Sequence, residues 1–171
     1  MELCWRGAEL TDVPNMQAIA DRIHVDLPER PEVLVEKLRL FPQGVQVLCA
    51  GAQIVGYGLA HPWMLHRPPV LDAFLTELPG HADCLHIHDV AVLPDFRGRK
   101  ALPSYMEAIA KLAHAMSISR LALVSVYDTD PLWARFGFRV VMPDAALSAK
   151  LRCYGATAKY MVCDLGAGAV G

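Results

Sequence analysis

The chain has 171 residues, of which 54% are hydrophobic and 20% charged, and its formal net charge at pH 7 is −2. This length and composition predict a single domain over residues 1–171 with a sizeable core, and they exclude a largely disordered chain. The near-neutral charge gives no reason to expect a nucleic-acid partner, and no apolar run is long enough to predict a membrane span. Because the five cysteines have no paired spacing and no signal peptide is recognisable, we expect reduced thiols in a cytoplasmic protein.

The first third of the chain alternates between strand and helix signals. Thr11 or Asp12 is the expected cap of a first helix, with Pro14 in its first turn. Pro31 begins a second helical pattern, and the Gly51 region separates two strand-like runs, which predicts a hairpin. The predicted elements are a strand at 3–6, helices at 12–23 and 31–40, and hairpin strands at 45–50 and 54–62.

A long segment rich in proline and histidine follows, from Trp63 to Asp83. Within it, Val70–Leu78 predicts a short helix. Loops of this length are unusual inside a compact domain and are often functional. The segment therefore forms either a wall of a binding site or a disordered excursion over the surface.

The central stretch predicts a strand, a short basic turn and an amphipathic helix. Leu85–Leu93 is dense in β-branched and aliphatic residues, and Ser104–Ala115 has apolar residues at helical spacing. Free backbone N–H groups and the positive helix end converge at such a turn, which predicts an anion site. Strand alternation places His86, His88, Val90 and Val92 on one face and Ile87, Asp89, Ala91 and Leu93 on the other. An anion site beside two imidazoles suggests chemistry on a phosphate-bearing cofactor.

The last third predicts three more strands and one capped helix. Asp130 and Pro131 have the residue types that cap and begin a helix. The strands are predicted at 120–126, 138–142 and 158–165, with the segment 143–157 between the last two. The small residues Gly166–Gly171 predict a frayed tail.

Two segments carry motifs that can be compared with a known family. In the first, the strand His86–Val92 precedes the turn Arg97–Leu102; in the second, Leu121–Val126 precedes Pro131–Phe138, which ends in Phe-Gly-Phe. Both resemble the GNAT superfamily of acyl-CoA-dependent N-acyltransferases, which has an Arg/Gln-x-x-Gly-x-Gly/Ala turn and an "FY-x-x-x-GF" ending. The His-x-His pair is also similar to the arylalkylamine N-acetyltransferase branch. The resemblance implies an α/β domain with a mixed, mostly antiparallel sheet of about seven strands flanked by helices.

The resemblance implies that the turn and the strand before it bind acetyl-CoA, with no metal. The strand backbone would pair with the pantetheine arm, the Val90 N–H would polarise the thioester carbonyl, and the turn would hold the pyrophosphate. The implied cofactor-binding residues are Val90, Ala91, Val92, Arg97, Gly98, Arg99, Lys100, Ala101 and Leu102. Lys100 and Leu102 depart from the family, which has small residues there that let a backbone approach the pyrophosphate.

The resemblance also implies catalytic and acceptor-binding residues. His86 and His88 would relay a proton from the acceptor, a primary amine of a small molecule, because an amine must be neutral to attack a thioester. Trp133 occupies the position of the family's tyrosine acid, so Tyr127 is the nearest candidate to protonate the leaving thiolate. The side chains expected to contact the acceptor are Ile23, His24, Phe41, Asp89, Tyr154 and Tyr160.

Two other functions remain open at this point. Lys100 and Leu102 favour a degenerate family member that binds CoA weakly and acts as an interaction or sensing module. Alternatively, His86 and His88 bind a metal ion, although no second motif with Cys/His ligand spacing follows. The sequence also leaves open which amine is the acceptor and whether the chain forms a homodimer.

Overall fold

The computed structural model describes residues 2–166, which form a seven-stranded sheet with helices on both faces. The strands are β1 (Leu3–Gly7), β2 (Val45–Ala50), β3 (Gln53–Trp63), β4 (Cys84–Val92), β5 (Arg120–Ser125), β6 (Arg139–Val140) and β7 (Lys159–Asp164). The α-helices in the same residues are α1 (Val13–Ile23), α2 (Pro31–Leu40), α3 (Ala101–Ala115), α4 (Asp130–Ala134) and α5 (Ala145–Leu151).

The sheet order is β1-β2-β3-β4-β5-β7-β6. Its paired strands run antiparallel except β4 and β5, which are parallel. The predicted fold class, a mixed and mostly antiparallel sheet of about seven strands flanked by helices, is therefore confirmed.

Each face of the sheet has its own apolar core. On one face, Met16 and Ile19 of α1 pack with Leu34 of α2 against Tyr57 and Leu59 of β3. On the other face, α3 contributes a fully buried stripe that packs on β4 and β5. The members of this stripe and its partners are Tyr105, Ile109, Ala113, Leu85, Ile87, Leu121 and Leu123. Burying side chains of this size contributes about 1.5–3 kcal/mol each, so both helical layers are firmly attached to the sheet.

A glycine in β3 permits the close packing of α3. A Cβ atom placed on Gly58 would lie 2.2 Å from Cε2 of Tyr105, so the phenol ring lies directly against the strand backbone. Larger side chains at position 58 would displace Tyr105 and with it the beginning of α3.

The central strand contains a β-bulge, and the predicted alternation of its side chains is wrong beyond it. Ile87 pairs with Ala60 and Asp89 pairs with Leu59, so His88 is one extra residue in β4. The bulge places His88 and Asp89 on the same face as His86, whereas Val90 packs on the opposite side with α3. The sequence pattern could not show this, because a bulge does not change the order of apolar and polar residues. It changes only which face of the sheet the residues after it occupy.

Other boundaries also differ from the predictions. The predicted helix at Val70–Leu78 is absent, and this stretch is irregular chain held by hydrogen bonds from its neighbours. Asp130 is the first residue of α4, so Thr129 takes the cap position, and its hydroxyl donates to the Val126 carbonyl instead. The predicted tail at 166–171 lies, apart from Gly166, outside the described residues.

Within residues 2–166, no helix is both long and apolar enough to cross a bilayer. The five cysteines of this part of the chain all carry free thiols.

Candidate active site

The two parallel strands at the centre of the sheet separate soon after they meet. Within the described residues, β4 and β5 pair only where Leu85–Ile87 lies beside Leu121–Leu123. β4 then continues to Val92 along β3, and β5 continues to Ser125 along β7. The edges that face each other across this split keep backbone N–H and C=O groups available for an extended ligand.

A cavity of about 860 Å³ follows the split from one side of the sheet to the other. One end, the basic end, is lined by Arg97, Gly98, Lys100, Ala101, Leu102, Pro103 and Arg135. The other, the histidine end, is lined by His24, Leu27, Glu29, Leu71, His88, Asp89 and Tyr154. Both ends therefore open into one continuous space.

The basic end is the N-terminus of α3 together with the turn before it. Gly98 has a φ of +75° and Lys100 a φ of +61°, so the turn enters the helix through left-handed conformations. The first N–H groups of a helix lack intrahelical partners. In α3 these are the N–H groups of Ala101 and Leu102, because Pro103 has no backbone N–H. Together with the helix dipole they form an anion site that suits a phosphate group.

Two of the arginines in this turn have different surroundings. The Nε atom of Arg97 donates to the Val92 carbonyl at 2.9 Å, which fixes its side chain beside the cavity. The Arg99 guanidinium instead lies 5.6 Å from the ring centroid of Phe96, away from the cavity lining. Leu102 is part of the lining, so the family's small residue is replaced by a side chain that narrows the basic end.

The histidine end contains a pair formed by Glu29 and His88. An Oε1 atom of Glu29 accepts from Nε2 of His88 at 2.8 Å, and the two side chains are 12% and 1% exposed. Burial raises the pKa of Glu29, but the charge and hydrogen bond of His88 and the charge of Lys37 outweigh burial. Together these effects lower the pKa of Glu29 to about 2. Glu29 is therefore ionised at neutral pH and holds the proton of His88 on Nε2.

A second carboxylate–imidazole pair lies beside the first. Asp89 is 2.8 Å from Nε2 of His24 and also accepts a short hydrogen bond from the Tyr57 hydroxyl. Burial lowers the pKa of His24, but the hydrogen bond and charge of Asp89 outweigh it and raise the pKa above its usual value. The ring of His24 stacks on Tyr127, with 5.9 Å between the ring centroids.

Three imidazoles cluster behind this end of the cavity. The ring centroids of His61 and His86 are 5.5 Å apart, and that of His88 lies 6.1 Å from His61 and 6.2 Å from His86. Burial and the neighbouring imidazoles lower the pKa of His61 to about 3 and that of His86 well below its usual value. Both rings are therefore neutral at pH 7. Residues 2–166 contain no group of three or more His, Cys, Asp or Glu side chains arranged to hold a metal ion.

Most of the sequence-predicted site residues line this cavity. They are His88, Tyr127, Asp89, Tyr154, Val90, Ala91, Val92, Arg97, Gly98, Lys100, Ala101 and Leu102, together with Ile23 and His24. The structure places four predicted residues elsewhere: Phe41, His86, Arg99 and Tyr160. Phe41 is buried in the core below α3, His86 lies behind His88 in the sheet, and the Tyr160 hydroxyl accepts from the His66 N–H at 2.9 Å.

Three residues of the site were not assigned a role from the sequence. Glu29 is 59 residues from His88, and Tyr57 is 32 residues from Asp89, so no local spacing connects them. His61 directly faces His86 across β3 and β4. The sequence contained one usable signal for His61. Pairing the predicted strand 54–62 with the His-x-His strand would have placed His61 beside His86 and His88.

The family of the chain follows from comparison with known sequences. The model of the acetyltransferase (GNAT) family matches residues 12–138, which include β4, the basic turn and most of the residues at the histidine end. The chain belongs to the GNAT family. No curated protein matches this GNAT sequence significantly.

Solved structures share the GNAT fold with this chain at low sequence identity. Ard1 from Thermoplasma volcanium has a TM-score of 0.71 and 14% identity, covering 96% of this chain and 99% of that chain. The loading GNATL domain of CurA from Lyngbya majuscula has a TM-score of 0.74 and 11% identity, covering 96% and 98%. The PaiA N-acetyltransferase from Thermoplasma acidophilum, solved with coenzyme A, has a TM-score of 0.67 and 10% identity, covering 96% and 99%.

Proposed function

We propose that this GNAT protein transfers an acetyl or similar acyl group from acyl-CoA to a primary amine of a small molecule, by direct attack in a ternary complex. The observation that carries the proposal is one cavity that joins a helix N-terminus to a carboxylate-paired imidazole through the split between β4 and β5. The helix N-terminus suits a phosphate-bearing acyl donor, and the carboxylate-paired imidazole suits activation of an amine.

The basic end would hold the phosphates of the donor. Arg97, Lys100 and Arg135 supply cations, and the first turn of α3 supplies backbone N–H groups. The edge of β4 that faces the split at Val90–Val92 pairs with no strand among the described residues, although its Val92 carbonyl accepts from Arg97. Its remaining backbone groups would bind the extended arm, which brings a thioester toward His88. The thioester supplies the electrophilic carbonyl, and a free N–H on this edge is suited to stabilise its developing negative charge.

His88 is the base that this geometry favours. Its Nε2 faces Glu29, so in the neutral ring the lone pair is on Nδ1, which is buried and has no partner among the described residues. His88 takes the first proton from the ammonium group, through water because Nδ1 is buried. The neutral amine nitrogen then bonds to the carbonyl carbon and the carbon–sulfur bond breaks. Tyr127 gives its proton to the thiolate and receives the second proton of the former ammonium nitrogen. Burial and the charges of Asp26 and Asp89 raise the pKa of Tyr127, so it carries its proton at neutral pH.

The surroundings of the base support an apolar amine as acceptor. Around His24 and Glu29 the lining is formed by Ala20, Ile23, Leu27, Pro28, Leu34, Leu71 and Tyr154. Two carboxylates at this end favour a cationic amine on entry and disfavour an acceptor that carries its own carboxylate. An arylalkylamine, as in the branch with a similar His-x-His strand, meets these conditions, and a monomer or homodimer in the cytoplasm would suffice for this activity.

The test combines binding and turnover. Calorimetry with acetyl-CoA, CoA and divalent zinc is followed by mass detection of acetylated products from a panel of arylalkylamines, polyamines and amino acids. Acetyl-CoA binding with acetylation of the arylalkylamines is the expected result. Binding of CoA without any product would favour the sensing module, and a response to zinc alone would favour the metal-binding function.

A further inference from the structure

The irregular segment 64–83, here called the strap, crosses the histidine end and is fastened mainly to α2. Arg30 binds both carboxylate oxygens of Asp72, at 3.1 and 3.0 Å, and Glu36 accepts from the backbone N–H groups of Leu75 and Thr76. Lys37 donates to the Ala73 carbonyl at 3.2 Å. Leu71 of the strap lines the cavity, so the strap is a wall of the acceptor pocket.

One carboxylate is shared between the strap and the base. Oε1 of Glu29 accepts from Nε2 of His88 at 2.8 Å, and Oε2 accepts from the backbone N–H of Asp72 at 3.0 Å. The next residue, Arg30, holds the side chain of the same Asp72. Glu29 therefore has one orientation while the strap is in place, because both of its oxygens are occupied.

One fastening of the strap, the ion pair between Arg30 and Asp72, is exposed to solvent. Arg30 is 55% exposed and Asp72 35% exposed, and ion pairs at such positions contribute roughly 0–1 kcal/mol. Asp72 and Thr76 also have positive φ angles of 55° and 70°, which are unfavourable for residues other than glycine. Opening of the strap would therefore begin at Asp72, because Ala73, Leu75 and Pro69 are held by less exposed hydrogen bonds with Lys37, Glu36 and Tyr154.

We propose that Glu29 is a positioning residue that couples closure of the strap over the acceptor to the orientation and tautomer of His88. With the strap closed, Glu29 fixes the proton of His88 on Nε2 and leaves Nδ1 as the base. With the strap open, Glu29 loses one hydrogen bond and gains solvent, and the ring is no longer held in one tautomer. The protein thus activates the amine only after the pocket is covered. This inference rests on the proposed acetyl transfer, in which His88 is the base.

Other ionisable groups surround the pair and would respond to the same motion. They come from the connection after α1, from α2, β3, β4, the strap and the segment after α5: His24, Lys37, Tyr57, His61, His86, Asp72 and Tyr154. The charge of Lys37 lowers the pKa of Glu29, and burial lowers the pKa of Lys37 itself in spite of Glu29, Glu36 and Asp72. The Arg30→Ala variant of the test therefore changes the strap without touching any group that contacts His88.

Three variants separate the proposal from a merely structural role. Arg30→Ala weakens the strap and is neither a cavity residue nor a contact of His88. Glu29→Gln leaves one acceptor oxygen, which can serve His88 or the Asp72 N–H but not both. Arg139→Ala, the control, breaks an ion pair with Asp164 at the far edge of the sheet, where both side chains are more exposed than Arg30 and Asp72.

The readouts are hydrogen exchange at the amides of the strap, the ¹⁵N shifts of the His88 ring, and kcat/KM against pH. Arg30→Ala is expected to speed exchange of the Asp72 amide about tenfold, mix the two tautomers of His88, and lower kcat by several-fold with KM for acetyl-CoA unchanged. Glu29→Gln should lower kcat about tenfold, and the double variant should be little worse than Glu29→Gln alone.

The coupling is wrong if Arg30→Ala opens the strap but leaves the His88 tautomer and the pH profile as in Arg139→Ala. It is equally wrong if the two single effects on kcat multiply. Failure of the proposed function has a different signature, because a wild-type protein that acetylates no amine still reports the coupling through exchange and ring shifts.

Discussion

The two ends of the cavity are built in opposite ways. The basic end comes from seven consecutive residues, Arg97–Pro103, with Arg135 added from beyond α4, and much of its binding capacity is backbone. The histidine end is assembled from α1, the α1–α2 connection, β3, β4 and the strap, and it acts through side chains. The charges are also opposite, because cations line one end and Glu29 and Asp89 the other. In the proposed reaction, the phosphate groups common to all CoA donors would be bound by one local turn, whereas proton transfer from a particular amine would require side chains brought together by the whole fold.

The largest effect should come from removing His88, the proposed base, from the histidine end. His88→Gln is expected to lower kcat/KM about 10²-fold at neutral pH, as is usual for a lost general base, and the loss should shrink at high pH where the amine is already neutral. The measurement is kcat/KM between pH 6 and 10. Acetyl-CoA affinity should hardly change, because that contact lies at the other end.

His86→Gln is the comparison for this variant. His86 is buried behind His88, so its loss should lower the melting temperature more than it changes the pH profile. Equal kinetic losses in both variants would favour the relay through both histidines, which stays a prediction.

The next largest effect is on the free energy of unfolding, and it comes from Glu29 at the histidine end. A pKa of Glu29 near 2 means that its ionised form stabilises the folded state above the ordinary carboxylate pKa and that this stabilisation is lost as pH falls toward 2. Glu29→Gln should therefore lower the free energy of unfolding by about 2 kcal/mol at pH 7, or roughly 4–8 °C in Tm, and by much less at pH 3. A deficit that is the same at both pH values would contradict the pairing with His88.

At the basic end the corresponding test compares two arginines of one turn. Arg97→Ala should weaken acetyl-CoA binding about tenfold, since it removes a fixed cation beside the anion site. Arg99→Ala should have a smaller effect because its guanidinium packs on Phe96. Calorimetry at two salt concentrations measures both. Weaker binding by the Arg99 variant than by the Arg97 variant would contradict the assignment of Arg97 to the anion site.

The smallest effect expected is a gain. Leu102→Gly should tighten acetyl-CoA binding by less than tenfold, because it removes the side chain that narrows the basic end and costs about 1 kcal/mol of helix stability. The melting temperature of the unliganded variant measures the loss of helix stability, and calorimetry measures the increase in acetyl-CoA affinity. Unchanged affinity would mean that Leu102 does not limit the approach of the pyrophosphate.

The sequence predicted the parts of this molecule that depend on local pattern. The hairpin, α1, α2, β4 and the basic turn lie close to their predicted positions, because apolar periodicity and Gly or Pro mark them directly. The strap was assigned a helix at Val70–Leu78 from its composition, whereas its conformation is set by hydrogen bonds from Arg30, Glu36 and Lys37.

The histidine end was only half predictable for a related physical reason. His88 and Asp89 stand next to each other in a recognisable motif, but their partners Glu29 and His24 come from a segment with no distinguishing pattern. Asp89 reaches its partners only because the bulge at His88 shifts the phase of the strand. Neither the bulge nor a contact over 59 residues leaves a local trace in one sequence.

The bulge also has a consequence for how the proposed activity would be lost by mutation. Because His88 is one residue more than the ladder with β3 requires, deleting it would restore regular pairing and leave Asp89, Val90 and Ala91 on their present faces. The loss of one codon would thus remove the proposed base while keeping the strand pairing and the basic turn. Glu29 would lose its partner, but the backbone proposed to bind the donor would remain, so a single in-frame deletion would separate donor binding from catalysis in the proposed reaction.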